Sequence, residues 1–278
     1  PTIGVITNVG TAHIGILGSQ ENIAKAKKEL IDSLPDNGVA ILNGDDPFVI
    51  KMGNNFKGNV IAYGLNRKYT VHGSDIIYES EGTKYICTCF DEAFKAKLHL
   101  LGIHNVYNAL AATAAARVLG VDIKKIQRSI DEFVPGQQRQ MTLKIAGITV
   151  IDDSYNANPL SMKMAFLSLK QMKGNHHILV LGDMGELGKF ERDLHYQVGN
   201  IAGEIGFDGL ITVGTLSREI AKGAIESGGI GWIRECQSLN EAAGCLKENT
   251  SEGDVILIKG SHSMHMEKIP QYWKEMLG

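Results

Sequence analysis

"HILVLGDMGELGKF", residues 177–190, decides the fold. Its apolar run Ile178–Leu181 ends at once in Gly182, Asp183 and Glu186, so it reads as a short strand that stops at a polar loop. A helix over 190–205 follows. The same unit then repeats: "DGLITVG" (208–214) precedes a helix over 216–227, "IREC" (233–236) precedes "LNEAAGCLKEN" (239–249), and "DVILIKGS" (254–261) precedes a helix over 265–276. Upstream lie a hairpin-like "LKIAGITVIDD" (143–153) and the helix of "NPLSMKMAFLSLKQM" (158–172), with Pro159 in its first turn. Repeated strand–helix units predict a parallel, doubly wound sheet. Ligands of such sheets sit at the C-terminal strand ends. Here those ends carry "LGDMGELG", "VGTLS" and "KGSHSM".

The first half is less regular. A strand over 3–8, a helix over 20–34, strands over 38–43 and 59–64, and a turn at "GDDP" (44–47) predict a parallel α/β layer. Residues 69–100 alternate and are rich in β-formers, which predicts an antiparallel meander beside that layer. "HNVYNALAATAAARVLG" (104–120) reads as a closely packed helix ended by Gly120, and Asp122 caps a second one. The boundary is expected in "PGQQRQ" (135–140), giving domains 1–139 and 140–278. The chain enters an apolar strand two residues after Pro1, which predicts a piece of a longer protein.

Composition narrows the class. A net charge of −3 argues against a nucleic-acid surface or a polybasic membrane patch. No apolar run approaches the ~20 residues of a membrane span, and no signal peptide is visible. Cys87, Cys89, Cys236 and Cys245 lack zinc spacing, and a reduced, cytoplasmic protein fits them.

Several residues carry chemistry. At about 100° per residue, Lys27 falls about 40° from Ile23, inside the apolar stripe formed with Ala26, Leu30, Ile31 and Leu34. Either its stem snorkels from the stripe's edge, or its amine takes up carbon dioxide to become a carbamate able to hold magnesium or orient phosphate. His13, in a glycine-rich loop after a strand, is either structural or a metal ligand. Asn105 and Asn108 share a helix face and match the donor–acceptor edge of an adenine, with capping as the plainer alternative. In "IDDSYNANP" (151–159), Asp153 suits ribose hydroxyls, and Tyr155 and Asn156 suit a base; a turn explains the Asp and Asn but explains the Tyr less well. No phosphate-loop or dinucleotide fingerprint occurs. Asp183 and Glu186, beside a helix start, suit an ammonium or polar group better than a phosphate, with loop punctuation and favourable helix-dipole charges as the plainer alternative.

Together, "ITNVGTAHIGILGSQENIAKAKKEL", "GIHNVYNALAATAAARVLG", "IDDSYNANPLSMKMA", "VLGDMGELG" and "ILIKGSHSMHME", in this order, resemble the Mur ligases along essentially the whole chain. The resemblance implies an ATP- and Mg2+-dependent amide ligase that activates a carboxylate as an acyl phosphate for attack by an amine. "DDSYNANP" and "LGDMGELG" point within the family to the addition of D-alanyl-D-alanine to a UDP-N-acetylmuramoyl-tripeptide in peptidoglycan synthesis. It implies that Lys27 is a carbamylated catalytic lysine and that His13 is its neighbour, both at a metal site. Asn105, Asn108, Arg139, Asp153, Tyr155 and Asn156 would hold the nucleotide, and Asp183, Glu186, His195 and Lys259 the incoming substrate. Residues 1–139 would be the later part of the central ATP-binding domain, and 140–278 the Rossmann-like C-terminal domain. The phosphate-binding loop and the N-terminal domain would lie upstream, so this piece alone is expected to be inactive and its full-length parent a monomer. Another amide ligase of the superfamily, such as folylpolyglutamate synthase, or a non-catalytic nucleotide-binding module are the alternatives.

Overall fold

A computed structural model describes residues 1–79, 82–134 and 140–278. The chain divides into two compact units: Pro1–Gly10 with Leu17–Val134, and Thr11–Ile16 with Pro135–Gly278.

In chain order, the first part carries β1 (Ile3–Ile6), α1 (Ile14–Leu17), α2 (Gln20–Asp32), β2 (Val39–Asn43), α3 (Pro47–Lys51), β3 (Asn59–Gly64), β4 (Val71–Glu79), β5 (Gly82–Cys89), β6 (Glu92–Leu98), α4 (Ile103–Val118) and α5 (Ile123–Asp131). The strands form one sheet in the order β1-β2-β3-β4-β5-β6, parallel from β1 to β4 and antiparallel from β4 to β6. The meander therefore continues the parallel layer edge to edge, through Tyr63 and Gly64 paired with Val71 and His72. Strand alternation turns Tyr85, Cys87 and Cys89 to the buried face, where α4 sets Val106, Leu110 and Ala114, spaced four apart, in the same core. α2 begins where Ser19 accepts from the Asn22 N–H, as its sequence predicts.

Two local predictions change. "GDDP" is a turn and also a helix start: Asp46 caps α3, accepting from the Phe48 and Val49 N–H groups, with Pro47 at the first position. The last helix starts at Ile269 rather than at 265, because His265 takes a left-handed conformation (φ 52°) between two short 3₁₀ turns.

The second part carries β7 (Met141–Ile145), β8 (Ile148–Asp152), α6 (Pro159–Lys170), β9 (His177–Gly182), α7 (Glu191–Ile205), β10 (Phe207–Val213), α8 (Ser217–Ser227), β11 (Ile230–Cys236), α9 (Leu239–Asn249), β12 (Val255–Lys259) and α10 (Ile269–Leu277). The sheet order is β11-β10-β9-β12-β8-β7, all parallel except the edge strand β7. Its central strands are buried on both faces. Leu179, Leu181 and Leu257 pack with Phe166, Val198 and Ile220 of α6, α7 and α8 on one side. Ile178, Val180 and Ile258 pack with Leu246 and Trp273 of α9 and α10 on the other. Helices on both faces make this unit doubly wound, as the repeats predict. α7 and α8 touch backbone to backbone: a Cβ on Gly199 would lie 2.0 Å from the Ile220 carbonyl oxygen, and one on Gly223 2.2 Å from that of Tyr196. Among the described residues, no helix is long and apolar enough to cross a membrane.

Candidate active site

In the first unit, the loop after β1 is held by side chains from three elements. Asp46 Oδ2 accepts from the Val9 N–H (2.8 Å), Asn43 Nδ2 donates to the Thr7 carbonyl (2.8 Å), and Gln20 Nε2 donates to the Val9 carbonyl (2.7 Å). Lys27 of α2 reaches the same loop, its Nζ donating to the Asn8 carbonyl at 2.7 Å. The stripe of α2 buries Ile23 and Ile31 but leaves Lys27 exposed overall. Packing around its stem nevertheless removes enough water to lower its pKa, against the opposing charge of Asp46. A lowered pKa enriches the neutral amine, the form that reacts with carbon dioxide.

A second polar cluster was not legible from spacing. Asp45 Oδ2 accepts from the Leu65 N–H (2.6 Å) and from the Tyr107 hydroxyl (2.9 Å), and Tyr69 donates to the Gly44 carbonyl (2.6 Å). Burial and the Asp45 carboxylate hold the Tyr107 hydroxyl well above its ordinary pKa. Tyr107 stands between Asn105 and Asn108 in the sequence, so Asp45 fixes the start of α4 from which those amides project. Asn105 does not cap α4, whose N-cap is Gly102; its Nδ2 donates to the Leu101 carbonyl (2.9 Å). Asn108 is exposed.

In the second unit, five predicted residues take part in bonds at or beside the strand ends. Lys259, at the end of β12 with a side chain only 4% exposed, directs its ammonium at Asp153 Oδ2 (2.5 Å), the Asn156 carbonyl (3.0 Å) and the Asp153 carbonyl (3.3 Å). An ammonium has three donors, and three protein acceptors meet them. Asp183 accepts from the Ser217 N–H (2.7 Å) and the Thr215 N–H (3.2 Å), tying the end of β9 to the loop after β10. His195 is fully buried: its Nδ1–H donates to the Glu191 carbonyl (2.6 Å) and its Nε2 accepts from the Met184 N–H (2.8 Å). Burial lowers its pKa, and the bond from Met184 requires the neutral ring.

Two more residue pairs lie in this unit. Tyr155, 47% exposed, has its ring 6.0 Å from that of His262, tilted by 42°. Sequence reading missed His262, whose only signal was its place in "KGSHSM". His13 Nδ1 lies 2.5 Å from Glu186 Oε2, and both residues are left-handed at φ 62°. Left-handed non-glycine residues store strain, which gathers at functional positions. Arg139 lies outside the described residues.

The fit to a nucleotide and to magnesium differs. Within the first unit, an exposed amide on α4 is a group that a base edge can meet; within the second, an exposed aromatic pair and a part-exposed carboxylate on a pinned loop are groups that a base and a ribose use. An ammonium and an imidazole are not a magnesium set, since Mg2+ takes oxygen ligands. Among the described residues, no group of three or more His, Cys, Asp or Glu is placed to hold a metal ion.

These features define a two-unit α/β protein whose polar loops gather at the C-terminal ends of parallel strands, the ligand side of that architecture. The Mur ligase middle domain matches residues 1–116, and the Mur ligase, glutamate ligase domain, matches residues 138–262. The UDP-N-acetylmuramoyl-tripeptide–D-alanyl-D-alanine ligase of Bacillus subtilis (strain 168) is 35% identical over 274 residues, covering 97% of this chain and 58% of its own length. MurF from Acinetobacter baumannii superposes with a TM-score of 0.90 at 28% identity, covering 99% of this chain and 60% of that one. A Thermotoga maritima MurF ligase solved in complex with ADP shares the fold (TM-score 0.87, 24% identity, 100% and 62% covered). The chain belongs to the Mur ligase family, and it spans less than two thirds of the length of these relatives.

Proposed function

We propose that this chain is part of an ATP-dependent amide ligase that joins D-alanyl-D-alanine to a UDP-N-acetylmuramoyl-tripeptide in the synthesis of the peptidoglycan precursor. The observation that carries this reading is the Lys259-pinned loop "DDSYNAN", set at the C-terminal strand ends of a doubly wound unit. The name of the Bacillus subtilis relative, a UDP-N-acetylmuramoyl-tripeptide–D-alanyl-D-alanine ligase, supports the choice of substrates. Residues 1–139 are proposed as part of the central ATP-binding domain and 140–278 as the C-terminal domain. The proposed setting is the cytoplasm, with the full-length protein a monomer that uses ATP and magnesium.

The residue roles are proposals, each supported by what the residue bonds or exposes within its own unit. Asn105 and Asn108 are proposed to meet the base, with Asp45 holding their helix through Tyr107. Tyr155 and Asn156 are proposed to flank the base, and Asp153 to accept from the ribose. ATP supplies the phosphoryl group that activates the carboxylate. Asp183 and Glu186 present carboxylates to the incoming ammonium. His195 serves that step by holding the Met184 N–H beside Asp183, and Lys259 holds the Asp153–Asn156 loop proposed to meet the nucleotide. Lys27 and His13 suit a magnesium ion only once Lys27 bears a carbamate, whose oxygens replace an unsuitable cation.

The experiment replaces the aligned segment of the Bacillus subtilis relative with this chain and measures phosphate release with ATP and the tripeptide. Release that depends on D-alanyl-D-alanine is expected. Release that instead follows free glutamate would move the assignment to a folylpolyglutamate-type ligase. A transplant that binds nucleotide yet releases phosphate with no amine would indicate a non-catalytic module.

A further inference from the structure

Cys236 and Cys245 lie outside every group used above. Cys236 ends β11 with 1% exposure, and Cys245 sits in the second turn of α9, half-buried. Both are free thiols, and their sulfurs are 3.6 Å apart. The contact is built: Ser238 caps α9 by accepting from the Glu241 N–H, and Glu241 returns a carboxylate oxygen to the Gln237 N–H (2.7 Å). These reciprocal bonds fix the turn between the two cysteines. A disulfide needs its sulfurs about 2.05 Å apart, so closure asks for about 1.5 Å of approach from side-chain rotation.

We propose that Cys236 and Cys245 form an exchange-competent dithiol that low-molecular-weight disulfides convert to an internal disulfide. Cys245 is the more accessible thiol and attacks first. Its thiolate, the proton lost to solvent, bonds to one sulfur of oxidised glutathione and expels one glutathione thiolate. The Cys236 thiolate then attacks Cys245 Sγ, breaks the mixed disulfide and expels the second glutathione. Two cysteines lose two electrons, and one glutathione disulfide gains them. Burial and the neighbouring Cys245 push the Cys236 thiol up to about 12, so the second step runs through intramolecular proximity rather than through acidity. Cys87 and Cys89, fully buried on one face of β5, have no such route to solvent.

The test exposes the folded chain to oxidised glutathione at pH 8, blocks remaining thiols with iodoacetamide and maps peptides by mass. The expected product links Cys236 to Cys245 with the loss of two hydrogens, and dithiothreitol restores both thiols. Cys236→Ser is expected to hold a lasting glutathione adduct on Cys245, with Cys87 and Cys89 blocked only after denaturation. A wild-type chain that keeps glutathione on Cys245 without closing overturns the proposal. So does one whose two thiols stay reduced while an unstructured cysteine peptide in the same tube is oxidised.

Discussion

Lys259 Nζ lies 2.5 Å from Asp153 Oδ2, across 106 residues of sequence, with the lysine side chain 4% exposed. This pair joins β12 to the loop after β8, and the same ammonium also takes two carbonyls of that loop. Removing one partner of a buried pair strands the other charge, at a cost of about 3–5 kcal/mol. Lys259→Met is expected to lower the stability of the second unit by about 3 kcal/mol, near the low end because Asp153 is part-exposed. Lys259→Met combined with Asp153→Asn is expected to lose less than the single change. Calorimetric unfolding of the wild type and both variants reads both.

His195 predicts a pH dependence. Its pKa in the folded chain lies below 6.5, so the folded state stays neutral while an unfolded chain takes up a proton. Its stabilising contribution is complete above pH 6.5 and is lost as pH falls from there through the lowered folded value. His176, whose pKa is raised chiefly by its bond to Asp254, acts in the opposite sense. The difference in Tm between wild type and His195→Gln isolates the first effect. That difference is expected to shrink as pH drops below 6.5.

Two glycines in helices are expected to respond oppositely to alanine. At Gly199 the new methyl would meet the Ile220 carbonyl oxygen and the backbone of Ala224, so overpacking costs about 1–3 kcal/mol. At Gly244 it meets open space on α9, so better helix propensity adds about 0.5–1 kcal/mol. Urea midpoints of the two variants check the signs.

Tyr155 offers an exposed ring beside His262. Base–aromatic stacking contributes about 1–3 kcal/mol, so Tyr155→Ala is expected to weaken ADP binding by roughly 5- to 150-fold in the transplanted enzyme. Tyr155→Phe is expected to keep most of the affinity. Calorimetric titration with ADP decides it.

The second unit was legible because its repeats are local: Ile178 to Leu181 alternate between two apolar faces, and Gly182 ends the run. Lys259 was legible as a polar residue at a strand end, but its partners lie in a loop 103–106 residues away, which no local pattern encodes. The resemblance places His195 among the residues for the incoming substrate, and sequence does not show that Met184 and Glu191 occupy both of its ring nitrogens. α3 was missed although its signal, Asp46 followed by Pro47, was present, because a five-residue helix carries too little periodicity to stand out from a turn. For Lys27 the helical wheel was right about the angle. The length of the side chain then carries the ammonium out of the stripe to the Asn8 carbonyl.

The most direct measurement is the stoichiometry of phosphate release and dipeptide incorporation by the transplanted enzyme, with Lys27 intact and with Lys27→Ala. One phosphate for each D-alanyl-D-alanine joined is the predicted result. Lys27→Ala is expected to slow both by roughly 10²–10³-fold, as for other groups that stabilise developing charge, and a small carboxylic acid is expected to restore part of the rate. Phosphate release without dipeptide incorporation, or full activity in Lys27→Ala, would contradict the account.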